Sequence, residues 1–197
     1  MNPPSHTLSV RVNFPNWIGD FESSLSEMFS TIESRMALAI KLAEENVSRE
    51  SGGPFGAAVF DSDTGELVSL GVNLVVESGY SISHAEILAL SFAQNILKTH
   101  DLSKSVRPNL QLVTSVEPCS MCLGAIPWSG VKSVVCGART SDAEKVGFDE
   151  GPKLDTWPDE LEKRGIAVFR DIEREAAIKP LQNYLRAGGA IYNGGAK

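Results

Sequence analysis

Between Phe55 and Phe169 the chain alternates short runs of apolar and β-branched residues with segments of helical periodicity, and this alternation limits the available folds more than any other feature. Phe55 to Phe60 and Leu67 to Val76 read as strands, joined by Asp61-Ser62-Asp63-Thr64-Gly65, whose residue types favour a turn, so a hairpin is predicted. Ala85 to Lys98 then reads as helix, Leu110 to Val116 as a buried strand, Ser120 to Trp128 as helix and Val131 to Ala138 as a second buried strand. Asp159 to Lys163 reads as helix, Ile166 to Phe169 as a short strand, and Ile178, Leu181 and Leu185 mark a last helix. Upstream, Leu25, Phe29, Ile32, Met36, Ala39, Ile40 and Ala43 recur at helical spacing and predict an amphipathic helix that stops before Gly52-Gly53-Pro54. A hairpin followed by strand-helix-strand units implies an α/β fold: a three-layer α/β/α sandwich around a mixed five-stranded sheet, parallel in its later part. Ligands of such sheets bind beyond the carboxyl ends of the strands.

A chain of 197 residues with 42% hydrophobic content is long enough for one domain, expected over 1–197 with a loose N-terminal segment at about 1–22. Lys and Arg total 18 against 25 Asp and Glu, a net charge of −7, and no Lys/Arg run occurs, so a phosphate backbone would be repelled and a small molecule is the expected partner. The opening MNPPSHTLSVRVNFPNW lacks a basic start and an apolar core, and no stretch approaches the ~18 apolar residues of a membrane span, so a cytoplasmic protein is expected. Three cysteines, with Cys119 and Cys122 closely spaced, suit metal binding in a reducing compartment better than disulfides, and Cys136 in VKSVVCGA reads as a small buried hydrophobe.

His84 opens one predicted helix, and Cys119 and Cys122 stand at i and i+3 at the start of the next, a spacing that turns both sulfurs to one face. One imidazole and two thiolates fill three corners of a tetrahedron and leave the fourth to water, the pattern of a catalytic rather than a structural zinc site. Iron also accepts such ligands, but zinc needs no redox protection. Water on zinc has its pKa lowered from about 15.7 toward about 7. Glu86, two residues past His84, is placed to take that water's proton without being a ligand, the role of a general acid and base.

His84-Ala85-Glu86 followed by Pro118-Cys119-Ser120-Met121-Cys122 resembles the zinc signature of the cytidine deaminase-like superfamily of nucleobase deaminases. The resemblance runs from GGPFGAAVF through Gly71-Val72-Asn73 and HAEILAL to EPCSMCLGAIPWSGVKSVVCGAR, roughly the middle half of the chain. It implies the fold expected above and one zinc ion per chain. Cytosine, guanine, guanosine and tRNA adenosine deaminases share these elements. The stretch Gly147-Phe148-Asp149-Glu150-Gly151-Pro152 is similar to the segment that supplies a second active-site carboxylate in bacterial guanine deaminases, at Glu150, with Asp149 as its rival. A carboxylate there would accept from the ring N–H and amine of guanine.

By the same resemblance Asn73 reads the base, Phe55 and Trp128 line or stack on it, and the backbone N–H of Ala85 donates to the substrate. A C-terminal segment, about 175–197 with Ala190-Ile191-Tyr192-Asn193, would cross to a partner subunit and cover the site, in a homodimer that is domain-swapped if that segment is exchanged. The implied reaction is zinc-dependent hydrolysis of guanine to xanthine and ammonia, with ammeline, guanosine or cytosine as alternative substrates. A zinc-bearing binding module would keep His84, Cys119 and Cys122 but would have no need of Glu86.

Overall fold

Residues 11–25 and 28–194 are described by the structure, a computed structural model. The elements in chain order are α1 (Trp17–Ser23), α2 (Ile32–Ser48), β1 (Gly53–Asp61), β2 (Leu67–Asn73), α3 (Val75–Ser78), α4 (Ala85–Ile96), β3 (Leu110–Val116), α5 (Ser120–Ser129), β4 (Ser133–Ala138), α6 (Thr140–Lys145), α7 (Trp157–Glu162), β5 (Ala167–Phe169) and α8 (Arg174–Arg186). The strands form one sheet in the order β2-β1-β3-β4-β5. β1 is antiparallel to β2 and to β3, while β3, β4 and β5 run parallel, so the sheet is mixed as the alternation implied. The β1–β2 turn is closed by Asp61, whose Oδ1 accepts from the backbone of Asp63 at 3.0 Å, and by Gly65 at φ +80°.

Along β1 successive side chains serve two cores, the period-two pattern of a strand buried on both faces. Ala58 and Phe60 pack with Trp17, Met36, Leu42 and Leu181 from α1, α2 and α8. Ala57 and Val59 pack with Ala89, Leu90, Ile126 and Leu161 from α4, α5 and α7. This gives the three α/β/α layers. Helix α4 lies unusually close to β2 because Gly71 has no side chain: a Cβ there would stand 2.2 Å from the Ala85 carbonyl oxygen and 2.6 Å from the Ala89 nitrogen. That approach fixes the start of α4, where His84 and Glu86 lie, against the sheet. No helix of the described residues is long and apolar enough to cross a membrane.

Three expectations are corrected. The amphipathic pattern from Leu25 does not begin a helix, because α2 starts at Ile32 behind a capping box in which the Thr31 side chain accepts from Ser34 N and the Ser34 side chain accepts from Thr31 N. Phe29 continues the apolar pattern from a non-helical position, its N–H donating to Gly65 O at 2.7 Å and its ring edge-on to Phe60. The N-terminal segment is not loose from Trp17 onward: Trp17 and Ile18 on α1 join the first core, while residues 1–10 lie outside the described residues. Finally, β2 ends at Asn73 rather than Val76, since Asn73 Oδ1 accepts from Val75 N and the chain turns into α3.

Candidate active site

The two helices that carry the predicted ligands begin at the same rim of the sheet. His84 is the N-cap of α4 and Cys119 the N-cap of α5, both with extended backbone, and Cys122 falls one turn into α5. His84 Nδ1 lies 3.5 Å from Cys119 Sγ and 3.6 Å from Cys122 Sγ, and all three ligand atoms fall within 4.8 Å of one another. Helix N-termini carry partial positive charge, which favours thiolates at these positions.

The electrostatics of the cluster fit a divalent cation. The Cys119 thiol is pushed down to about 4, first by its hydrogen bond with Cys122 and then, against the cost of burial, by His84. Cys122 is held well above the ordinary thiol value by that same bond and by burial. Burial and the charge of Cys119 push the Glu86 carboxyl up to about 7, and burial with the charges of Cys119 and Glu86 pushes Glu150 up to about 8. The raised values of Cys122, Glu86 and Glu150 record that these buried acids resist ionising together beside Cys119, and a zinc ion held by His84, Cys119 and Cys122 would supply the positive charge that lets them do so.

These groups open into a narrow cleft lined by Gly53, Phe55, Asn73, Val75, Val76, His84, Glu86, Glu117, Cys119, Phe148, Asp149, Glu150, Tyr184, Ala190 and Tyr192. The loop carrying Glu150 is tied to the cysteine turn: Ser120 N donates to Glu150 O at 2.9 Å, and Lys153 Nζ donates to Pro118 O at 2.7 Å.

Residues 29–138 match the family model for the cytidine and deoxycytidylate deaminase zinc-binding region, more than half of the chain and all three metal-ligating positions. The chain belongs to this deaminase family. It is similar to guanine deaminase from Bacillus subtilis (strain 168), at 38% identity over 118 residues that span 60% of this chain and 71% of that one. It is also similar to a solved structure of guanine deaminase from Nitrosomonas europaea, at 44% identity and TM-score 0.85 over 90% of this chain and 97% of the other. A solved complex of NE0047 with 2,6-diaminopurine matches at 45% identity and TM-score 0.87, over 94% and 97% of the two chains.

Within this deaminase the residues singled out from the sequence divide. Phe55, Asn73, Glu86, Asp149 and Glu150 line the cleft with His84 and Cys119. Ala85 is fully buried with its methyl group in the second core, so the role expected of it rests on its backbone N–H alone. Trp128 requires correction: it lies at the far end of α5, 85% exposed, on a groove shared with Pro127, Leu154 and Trp157 and outside the cleft.

The C-terminal segment lies along the cleft of its own chain, where Ala190 and Tyr192 are among the lining residues. Asn193 pins it there, its Nδ2 donating to Gly147 O at 2.9 Å and its Oδ1 accepting from Asp149 N at 2.8 Å. Tyr184 Oη donates to Ala190 O at 2.7 Å. Glu117, Phe148 and Tyr184 are cleft residues that sequence reasoning missed. Adjacency to the zinc motif signals Glu117, and GFDEGP contains Phe148, but nothing local marks Tyr184, which α8 carries in from the opposite end of the sequence.

Proposed function

We propose that this chain hydrolyses guanine to xanthine and ammonia with one zinc ion held by His84, Cys119 and Cys122. The observation that carries the reading is the pair of buried carboxylates, Glu86 and Glu150, facing the same cleft as the histidine–cysteine group. The kinship with guanine deaminases from Bacillus subtilis and Nitrosomonas europaea supports the choice of base.

When bound, zinc supplies a Lewis acid that makes water nucleophilic near neutral pH. Glu86 takes a proton from that water and delivers it to the ring nitrogen beside C2, while the water oxygen bonds to C2. The C2–N bond to the exocyclic amine then breaks as Glu150 relays the proton of the new C2 hydroxyl to the nitrogen leaving as ammonia, and the C2 carbonyl of xanthine forms. Before that step Glu150 accepts from the ring N–H and the amine, which fixes the orientation of the base. Asn73 hydrogen-bonds the base, the Phe55 ring packs at its edge with Phe148, 4.9 Å away and edge-on, and the N–H of Ala85 donates to the substrate. Ammeline presents an amine on a similar ring edge and is the expected second substrate, whereas guanosine needs space for its ribose under Ala190 and Tyr192.

The protein acts on small nucleobases as a homodimer and not on nucleic acid, in keeping with its net charge of −7. The groove around Trp128, with Leu154 68% exposed beside it, supports self-association on the α5 face. In that assembly the tail covers a site, either its own or, by exchange, the partner's.

Substituting Glu86 tests the chemistry directly. Glu86→Ala is expected to retain its zinc and its fold and to lose at least about 10²-fold in kcat. Near-normal ammonia release from that variant would remove Glu86 from the mechanism.

A further inference from the structure

A buried relay of polar groups connects the N-terminal helix to the cleft, outside the zinc chemistry. Asn46 on α2 is fully buried, and its Nδ2 donates to two backbone carbonyls, Gly53 O at 2.8 Å and Asn73 O at 2.9 Å. These two carbonyls belong to the paired ends of β1 and β2, and both residues line the cleft. Asn46 Oδ1 accepts from Ser51 Oγ at 2.9 Å, and Ser51 Oγ in turn accepts from Trp17 Nε1 at 2.9 Å. The Trp17 ring is held from its other side by the Arg49 guanidinium, 5.4 Å from the ring centre. Gly52 permits this crowding, since a Cβ there would lie 2.0 Å from Asn73 O and 2.7 Å from Asn46 Nδ2.

We infer that Asn46 is a positioning residue for Asn73, and that the Trp17–Ser51–Asn46 relay makes α1 part of the base-recognition apparatus. The inference rests on the reading of Asn73 as a base-binding residue. An asparagine amide has two donors and one acceptor group, and here each is used by a partner whose placement matters. Both donors clamp the mouth of the hairpin, which sets the height of Asn73 above the zinc ligands. The acceptor fixes the rotation of the Asn46 amide, so that loss of the Ser51 hydroxyl frees the clamp to turn. A purely structural asparagine would stabilise the fold without affecting how tightly the base is held.

The test uses full-length, zinc-loaded protein with two substitutions: Ser51→Ala, and Trp17→Phe, which keeps an aromatic ring but removes the N–H donor. Guanine KM and kcat are measured with zinc content and melting temperature, and the affinity for 8-azaguanine is measured for each variant in a Glu86→Ala background, where the probe is not turned over. Ser51→Ala and Trp17→Phe are expected to raise KM and weaken 8-azaguanine binding by about three- to tenfold, with kcat within about twofold and zinc unchanged. In an Asn73→Ala background the same substitutions should have no further effect, because the residue they position is gone. Unchanged KM and probe affinity in both variants, with only the melting temperature lowered, would overturn the inference. Should Asn73→Ala itself leave KM and probe affinity unaltered, the base-binding reading of Asn73 falls as well. Absence of guanine turnover in the unsubstituted protein would instead overturn the proposed reaction.

Discussion

Asp149 and Glu150 are neighbours in the sequence and opposites in the fold. Asp149 is used up locally: its Oδ1 accepts from Gly151 N at 2.8 Å and its own N–H is held by Asn193. Glu150 is buried, with its backbone carbonyl anchored by Ser120, and on the proposed mechanism its carboxyl is the one that serves the chemistry. Glu150→Gln is therefore expected to lower kcat/KM for guanine by about 10²-fold or more, and Asp149→Asn by less than about tenfold, in steady-state assays. The reverse order would exchange their roles. The resemblance of GFDEGP to guanine deaminases locates this acidic pair, but the sequence cannot choose between adjacent carboxylates, because burial depends on the Ser120 and Asn193 contacts made by distant segments. His84, Glu86, Cys119 and Cys122 are legible for the opposite reason: their geometry is dictated by spacing at helix starts. Trp128 is not, because an aromatic residue near a motif carries no sign of which way the helix end faces.

At the scale of elements, the closeness of α4 to β2 is what delivers His84 and Glu86 to the rim. Gly71→Ala would drive a methyl group into the Ala85 carbonyl and force the helix outward. The expected result is a loss of about 1–3 kcal/mol in denaturant unfolding together with weaker zinc retention. Unchanged stability and zinc content would mean that the helix shifts freely. Helix α8, which carries Tyr184 to the cleft, is fastened to α6 by Arg174, whose Nε and Nη2 donate to Asp142 at 2.8 and 3.0 Å. Those bonds, acting against burial, hold the Asp142 carboxyl at about 2, below its ordinary 3.8. A depressed folded-state pKa contributes stability that is complete above the unfolded value and is lost as pH falls through the folded one. Asp142→Asn should accordingly cost about 2 kcal/mol at pH 7 and about half as much at pH 3, measured by unfolding at both pH values. An equal cost at the two would show that the carboxylate's charge is not what matters. The strand and helix order is legible from periodicity, whereas the start of α2 is not, since Thr31 and Ser34 stop the helix inside an apolar pattern that continues to Leu25. Short α6, with the polar sequence TSDAEK, has no periodicity to detect.

For the molecule as a whole, the sheet sets out two distinct surfaces: a cleft at the zinc rim and an exposed groove that runs along α5 from Ser120 to Trp128. In the proposed homodimer this groove is the interface. Trp128→Glu is expected to shift the protein from dimer to monomer in light scattering, with zinc retained. A dimer of unchanged stability would place the interface elsewhere. On the proposed reading the cleft carries the reaction, with a purine presenting neighbouring N–H donors to Glu150. The most direct measurement is ammonia release by the purified, zinc-loaded protein from guanine, guanosine, cytosine, adenine and ammeline side by side. Preferred turnover of guanine, with ammeline second and guanosine excluded by the tail, is the expected result. Preference for cytosine or guanosine would leave the zinc chemistry standing and contradict the role given to Glu150 and the lid.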